Sequence, residues 1–365
     1  MDGTGEMMCC KRSDINKERR YMKKIMALAA AAVLVFGGAA YLPENTVMTA
    51  DASEICSEST SFVVNDLADG TVEIKQYVGK ATKVEIPSTL FGKKVTSIGD
   101  HAFLFKDVKM VSVPDTVTII HEDAFDACRE LEEVRLGSGV NILEDKAFFD
   151  CGKLSVVNFP SSLMYVGKSC FAGTGLKAAV FTGDMCVIDQ NAFSGCKKME
   201  KIVFPKKLDC VHDLVCYDCS SLKSVSLPES VTSIEMGAFR GCTSLKQLTI
   251  PAAVQYIDAY AIGFGVDYHD KVDITLKVTA GTAGEKYAKN NGFKYVYGSG
   301  GAVRGDVNDD GKVTVTDVSA AAGHLKGIKA LGSAAKTRAD VNGDGKVTVT
   351  DVSAIAAQVK GVKAL

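Results

Sequence analysis

Residues 97–103 read Ser97-Ile98-Gly99-Asp100-His101-Ala102-Phe103, and residues 236–242 read Met236-Gly237-Ala238-Phe239-Arg240-Gly241-Cys242. The Ala-Phe pair they share returns throughout the middle of the chain. One column holds Phe103, Phe125, Phe148, Phe171, Phe193, Cys216, Phe239 and Ile262, at spacings of 22 or 23 residues. Five residues before each stands an aliphatic: Ile98, Ile120, Leu143, Val166, Ile188, Val211, Ile234 and Ile257. Short strand-like runs follow the column, such as Val84-Glu85-Ile86-Pro87 and Val225-Ser226-Leu227-Pro228, usually closed by proline. A period in this range predicts a solenoid, in which each unit buries its apolar face only by stacking on the next. Each unit is expected to be a short strand, a turn, and a second short strand or helical turn.

The detail resembles the BspA-type leucine-rich repeat, with its IGxxAFxxCxxLxxVxIPxxV pattern, over about half the chain. The stretch Ala280 to Gly298 breaks the period. It reads as a helix around Ala283 to Asn290 followed by a strand, and so as a closing cap, because a solenoid end must be covered to stay soluble.

Five cysteines, Cys128, Cys151, Cys196, Cys219 and Cys242, fall three residues after the Phe column. Lys106 and Thr174 fill the gaps in the two 22-residue units. Repeat logic makes these cysteines packed thiols. Export chemistry would favour disulfides, and strands about 4.8 Å apart could be bridged only where the side-chain vectors permit. No C-x2-C…C-x2-C spacing appears, which argues against a zinc site; Cys216 and Cys219 each belong to their own repeat column.

Composition bounds the rest. The 365 residues exceed one ordinary small core, so two or more units are expected. The net charge of −2 gives no basic field for nucleic acid. Tryptophan is absent, which disfavours a sugar-stacking platform. Near the N-terminus, Lys23 and Lys24 precede the apolar run Ile25 to Ala40, and Ala50-Asp51-Ala52 fits a small-x-small cleavage site. This is the pattern of a secretory signal. The run is shorter than the roughly 20 residues of a spanning helix, although a membrane anchor is its alternative reading. The first 21 residues are long and polar for a signal, so Met22 is a candidate start.

No nucleophile, zinc or phosphate-loop motif surrounds the five histidines, His101, His121, His212, His269 and His324. The pairing most worth naming is Cys210 or Cys216 with His212, and repeat position explains it without chemistry. Glu132-Glu133 reads as solvated surface. Outward strand positions are expected at Ser112, Arg135, Asn158, Val180, Val203, Ser226 and Thr249. This mixed row suits a protein or glycan ligand, or a scaffold with no ligand at all.

Beyond the link Gly298-Ser299-Gly300-Gly301, twelve residues are written twice, 34 apart: DVNDDGKVTVTD from Asp306 and DVNGDGKVTVTD from Asp340. Oxygen ligands stand at positions 1, 3, 5 and 12, as Asp306, Asn308, Asp310 and Asp317, then Asp340, Asn342, Asp344 and Asp351. Position 7 supplies a backbone carbonyl, from Lys312 and Lys346, and position 6 is glycine. That spacing is the one a calcium loop needs. Two Ca2+ ions are expected, coupled to folding. Val313 and Val347, at position 8, should point inward. Each loop precedes a helix-like run, VSAAAGHLKGIKAL and VSAIAAQVKGVKAL.

No helix enters the first loop, and position 12 is Asp instead of Glu. With the duplication, these features resemble the type I dockerin domain. The resemblance implies a cohesin module of a scaffoldin as partner. It also implies cohesin contacts at positions 10 and 11, which here are Val315, Thr316, Val349 and Thr350. The expected plan is 1–52 extension and signal, 53–73 lead-in, 74–297 repeat solenoid with cap, 298–304 linker and 305–365 dockerin. The fold class is therefore a β-rich solenoid followed by a small all-α module with two EF-hand-like loops. The expected role is a secreted, non-catalytic component of a cellulosome-type complex. The alternatives are an enzyme or enzyme regulator with its site on the solenoid face, and a free-standing calcium-stabilised adhesin. Membrane contact is expected only through the signal segment.

Overall fold

The structure is a computed structural model that describes residues 55–56, 59–184, 186–267, 269–297, 305–308 and 312–361. The expected export segment, the 298–304 linker and Asp310 lie outside the described residues. Among the described residues no helix is long and apolar enough to cross a membrane.

The repeats wind into a ribbon with two parallel strands per turn. One ladder begins Ile55–Cys56, Lys83–Glu85, Met110–Ser112, Glu133–Arg135, Val156–Val157. It resumes as Ala178–Val180, Lys201–Val203, Ser224–Ser226, and closes as Gln247–Thr249, Thr275–Val278, Lys294–Tyr297. The other ladder runs Val72–Tyr77, Lys93–Ile98, Ile119–Ile120, Ile142–Leu143, Tyr165–Val166, Val187–Ile188, and then Cys210–Val211, Ser233–Ile234, Tyr256–Ile257. Registers follow the sequence columns, as in Ile142↔Ile119 and Leu143↔Ile120. The second half of each unit is thus a strand of two residues in most turns, and the Ala-Phe segment between the ladders is a chain of turns.

Stacking on a parallel-strand spacing of about 4.8 Å places identical side chains over one another. Phe103, Phe125, Phe148, Phe171 and Phe193 are all fully buried. Their rings stack face to face at 4.6, 5.0, 5.1 and 5.6 Å. Tyr77 begins the pile, 5.1 Å from Phe103. Cys216 ends it, as a small buried member of the column.

The turn around each phenylalanine is tight. The residue two before it is in the left-handed region in successive turns: His101 (φ 56°), Asp123 (53°), Lys146 (54°), Ser169 (53°), Asn191 (58°) and Leu214 (56°). A second left-handed residue stands two after it, as Phe105 (57°), Ala127 (52°) and Asp150 (54°), with glycine at 173, 195 and 241. Most side chains pay steric strain there, so the pattern is held by the stack around it.

The cysteine column consists of free, buried thiols. Each Sγ donates to the carbonyl of the column residue one turn back: Cys128 to Phe103 at 2.9 Å, and Cys151 to Phe125, Cys196 to Phe171, Cys219 to Phe193 and Cys242 to Cys216 at 3.1 Å. The Phe125 carbonyl also accepts the Cys128 N–H at 3.2 Å. The thiol therefore occupies the second lone pair of a buried carbonyl.

Both ends of the ribbon are covered. Phe62–Asp66 pairs antiparallel with Val72–Tyr77, so ordered structure begins ahead of the repeat pattern at residue 74. At the other end helix α1, Ala283–Asn291, stops at Gly292 in the left-handed region (φ 66°), and Lys294–Tyr297 adds a parallel strand to Thr275–Val278. The cap read from the broken period is present as a helix and a strand.

The C-terminal module has helices α2 (Val315–Leu325), α3 (Ser333–Ala339) and α4 (Val349–Val359). Its core repeats the 34-residue duplication: Val307 with Val341, Ala321 with Ile355, and around them Val313 with Val347 and Val318 with Val352. Position 8 of each loop points inward as expected. The helices differ from the runs read in sequence. They start three residues earlier, at loop position 10, and α2 stops at Lys326. Gly327 (φ 69°) then turns the chain back, with Ile328 N–H donating to the Gly323 carbonyl at 2.9 Å. The short α3 carried no sequence signal.

Candidate functional site

The second acidic loop is folded around its own carboxylates. Asp340 Oδ1 accepts the N–H groups of Gly343 (2.8 Å) and Asp344 (3.1 Å), and Oδ2 that of Gly345 (2.7 Å). Asn342 Oδ1 accepts from Asp344 N–H at 2.9 Å, and Asp344 Oδ1 from Lys346 N–H at 2.9 Å. These nested turns draw Asp340, Asn342 and Asp344 to one side of the loop. Asn342 Nδ2 reaches Asp344 Oδ2 at 3.0 Å.

Asp351 closes the loop from below. It is fully buried, with Oδ1 accepting from Val341 N–H (3.0 Å) and Asn342 N–H (3.2 Å). Its Oδ2 accepts from the Thr348 N–H and hydroxyl, both at 2.9 Å. At position 12, Asp351 forms the capping box of α4 with Thr348. Burial pushes the Asp351 carboxyl up, but these hydrogen bonds outweigh it and hold it below the usual carboxylate range.

The first loop repeats this arrangement where it is described. Asp317 is fully buried and accepts from Asn308 N–H (3.0 Å) and Thr314 N–H (2.9 Å), and Thr314 and Asp317 cap α2. Asp306 is buried. The Arg338 guanidinium at the end of α3 holds its carbonyl at 2.8 Å. Lys312 and Lys346 carry exposed side chains. The donor set, all oxygen with a buried carboxylate at the base, fits a hard cation such as Ca2+.

Val315 and Val349, the first residues of α2 and α4, are 67% and 72% exposed, and Thr316 and Thr350 beside them are exposed. Ile328, at 77%, is the other large apolar side chain this open in the described part of the module.

On the ribbon, Arg135, Asn158, Val180, Ser226 and Thr249 are exposed, and Ser112 and Val203 half-buried. The outward row therefore lies along one ladder as read. Cys210 and His212 lie on the other ladder, with Sγ 3.5 Å from Nδ1. His212 Nδ1 also faces Glu235 Oε2 at 3.1 Å, a partner that sequence reasoning missed.

A family model described as BspA type leucine rich repeat region matches six copies, over residues 73–200 and 172–274. The chain belongs to the BspA-type leucine-rich repeat family. A second family model, the dockerin type I domain, matches residues 304–360, so the repeats are followed by a type I dockerin. Among solved structures, a T. pallidum leucine-rich repeat protein is 22% identical, with TM-score 0.43, over 66% of this chain and 98% of that one. A Bacteroides ovatus leucine-rich repeat protein is 22% identical, with TM-score 0.43, over 64% of this chain and 65% of that one. A leucine-rich cell surface protein of Faecalibacterium prausnitzii is 17% identical, with TM-score 0.25, over 73% of this chain and 98% of that one. No curated protein matches the chain.

Proposed function

We propose that this BspA-type protein is an exported, non-catalytic component of a cohesin–dockerin assembly, in which the dockerin docks and the repeats present a binding face. The observation that carries the reading is the duplicated pair Val315-Thr316 and Val349-Thr350. Each opens a helix directly behind an acidic loop, and both valines are exposed. Two Ca2+ ions would be held by Asp306, Asn308, Asp310, the Lys312 carbonyl and Asp317, and by Asp340, Asn342, Asp344, the Lys346 carbonyl and Asp351. Calcium supplies positive charge that ties the carboxylates of a loop to the base of its helix. Asp317 and Asp351 act on both sides, as carboxylates of the loop and as capping residues of α2 and α4.

Identical residues at the two docking pairs give a two-fold surface, so the module docks a cohesin in either of two orientations. Ligands of the repeats are proteins or glycans that meet the row from Ser112 to Thr249.

The test is binding of the full chain to a panel of cohesins, with calcium and then with chelator. Tight binding that vanishes with chelator is expected. Failure to bind any cohesin would sink the assembly role and leave a calcium-stabilised adhesin. Changing Val315 and Thr316 alone should preserve binding; if it abolished binding, the two-orientation reading would be wrong.

A further inference from the structure

We propose that Cys210, His212 and Glu235 form a binding site for a borderline-soft divalent metal ion, with zinc as the first candidate. The site belongs to the ribbon and is independent of the dockerin. Cys210 opens the strand Cys210–Val211 and His212 follows it directly, two residues on, with Sγ and Nδ1 facing one another. Glu235 holds the position of His212 one turn later, because Cys210 pairs with Ser233 and Val211 with Ile234. Parallel stacking sets these neighbours about 4.8 Å apart. The donor atoms of all three residues lie within 4.8 Å of one another.

The geometry separates a metal site from a nucleophile. In a Cys–His–carboxylate relay, the thiol and the carboxylate engage opposite nitrogens of the imidazole. Here both face Nδ1: Cys210 Sγ at 3.5 Å and Glu235 Oε2 at 3.1 Å. Sulfur, nitrogen and oxygen converge on one point. Zinc bonds of about 2.3 Å to sulfur and about 2.0–2.2 Å to nitrogen and oxygen would set tetrahedral ligand atoms about 3.4–3.6 Å apart. Two edges of the cluster, Sγ to Nδ1 at 3.5 Å and Nδ1 to Oε2 at 3.1 Å, are within about 0.3 Å of that without rearrangement.

Its surroundings fit as well. Cys210 is 5% exposed and Glu235 8%. Ser233, the fourth corner of this two-strand square, has its hydroxyl oxygen buried without a hydrogen-bond partner. Such an oxygen suits a water completing the ion's fourth position. On binding, the ion takes the place of the thiol proton, which leaves to solvent. One thiolate and one carboxylate then balance the double charge, so the buried site is neutral. Thiolate with imidazole selects zinc, cobalt or copper over calcium.

The other histidine cluster, Asp100, His121 and Glu144, lacks this form. His121 points its two nitrogens at different carboxylates, Nδ1 at Glu144 (3.0 Å) and Nε2 at Glu73 (3.3 Å), and Asp100 is exposed. That is a chain of ion pairs. The expectation against zinc rested on the missing C-x2-C…C-x2-C spacing, and Glu235 meets Cys210 and His212 only from the next turn of the stack.

The test is titration of the full, reduced chain with Co2+, in excess calcium to keep the dockerin loops filled, followed by Zn2+ competition. Thiolate-to-cobalt charge-transfer absorption is expected, saturating at one equivalent and displaced by Zn2+. Cys210→Ser should abolish it, Glu235→Gln should weaken binding about tenfold or more, and Cys186→Ser should leave it unchanged. If Cys210→Ser does not fold, as judged by circular dichroism, loss of the band in His212→Gln carries the same inference. A wild-type chain with no such band, or a band that survives Cys210→Ser or His212→Gln, overturns the site and leaves a hydrogen-bonded thiol–imidazole–carboxylate cluster.

Discussion

The Tyr287 hydroxyl closes the backbone of Ile262 in both directions, donating to its carbonyl at 2.8 Å and accepting from its N–H at 3.0 Å. At Phe103, Phe125, Phe171, Phe193 and Cys216 the next turn does this work. The Phe125 N–H donates to the Ala147 carbonyl at 2.8 Å, and the Cys151 thiol donates to the Phe125 carbonyl. Ile262 has no next turn. One phenol in α1 replaces both a carbonyl and a thiol. Tyr287→Phe should therefore destabilise the ribbon by about 1–3 kcal/mol, since two buried backbone groups lose their partner. Urea unfolding of the two proteins checks this; equal midpoints would show that the cap acts by coverage alone.

Phe105 lies in the left-handed region at φ 57° with its ring 68% exposed. Gly173, Gly195 and Gly241 occupy the same step of their turns. A bulky residue is strained there and its ring gains little. Phe105→Gly should raise stability by about 0.5–1 kcal/mol, the relief of strain exceeding the entropy that glycine adds to the unfolded chain. A lower melting temperature for the variant would mean that the exposed ring packs on something.

The thiols of the column should be inert. Burial pushes Cys128 up to about 12 and raises Cys151 and Cys196 well above the ordinary thiol value. Brief alkylation of the native chain, read by site-resolved mass spectrometry, should leave Cys128, Cys151, Cys196, Cys219 and Cys242 unlabelled. All five should react after denaturation without reductant. Disulfide-linked peptides among them would contradict the packed-thiol arrangement.

His121 makes part of the stability depend on pH. Burial alone would lower its pKa from 6.5, but the Glu144 hydrogen bond and the charges of Glu144, Glu73 and Asp100 outweigh that and raise it. A raised value in the folded state means that the protonated form is the one stabilised. Its contribution is full below pH 6.5 and is lost as the pH climbs through the raised value. The melting-temperature difference between wild type and His121→Gln should shrink over that interval. A difference that grows with pH would reverse the assignment.

Much of this molecule was legible because its columns repeat. Phe103 to Ile262 and Ile98 to Ile257 fixed the buried face, and Asp306 and Asp340 fixed the loops. Tyr77 was missed because it stands 26 residues before Phe103, outside the 22- or 23-residue period. Glu235 was missed because it is 23 residues from His212 in sequence and becomes its neighbour only once the turns are stacked. Writing the units beneath one another would have put the two in one column. The capping role of Asp317 and Asp351 was hidden for another reason: Thr-x-x-Asp is a capping pattern, and it overlaps the last four positions of the calcium pattern.

The interruption of the ring pile has a mechanical consequence. From Tyr77 to Phe193 the aromatic column is unbroken, and at Cys216 it loses its ring. One ladder breaks in the same interval, between Val187–Ile188 and Cys210–Val211. A beam assembled from like segments yields where one segment is thin. The other ladder breaks at the next step, between Ser224–Ser226 and Gln247–Thr249, so pulled from its ends this ribbon would give first on either side of the Cys216 turn.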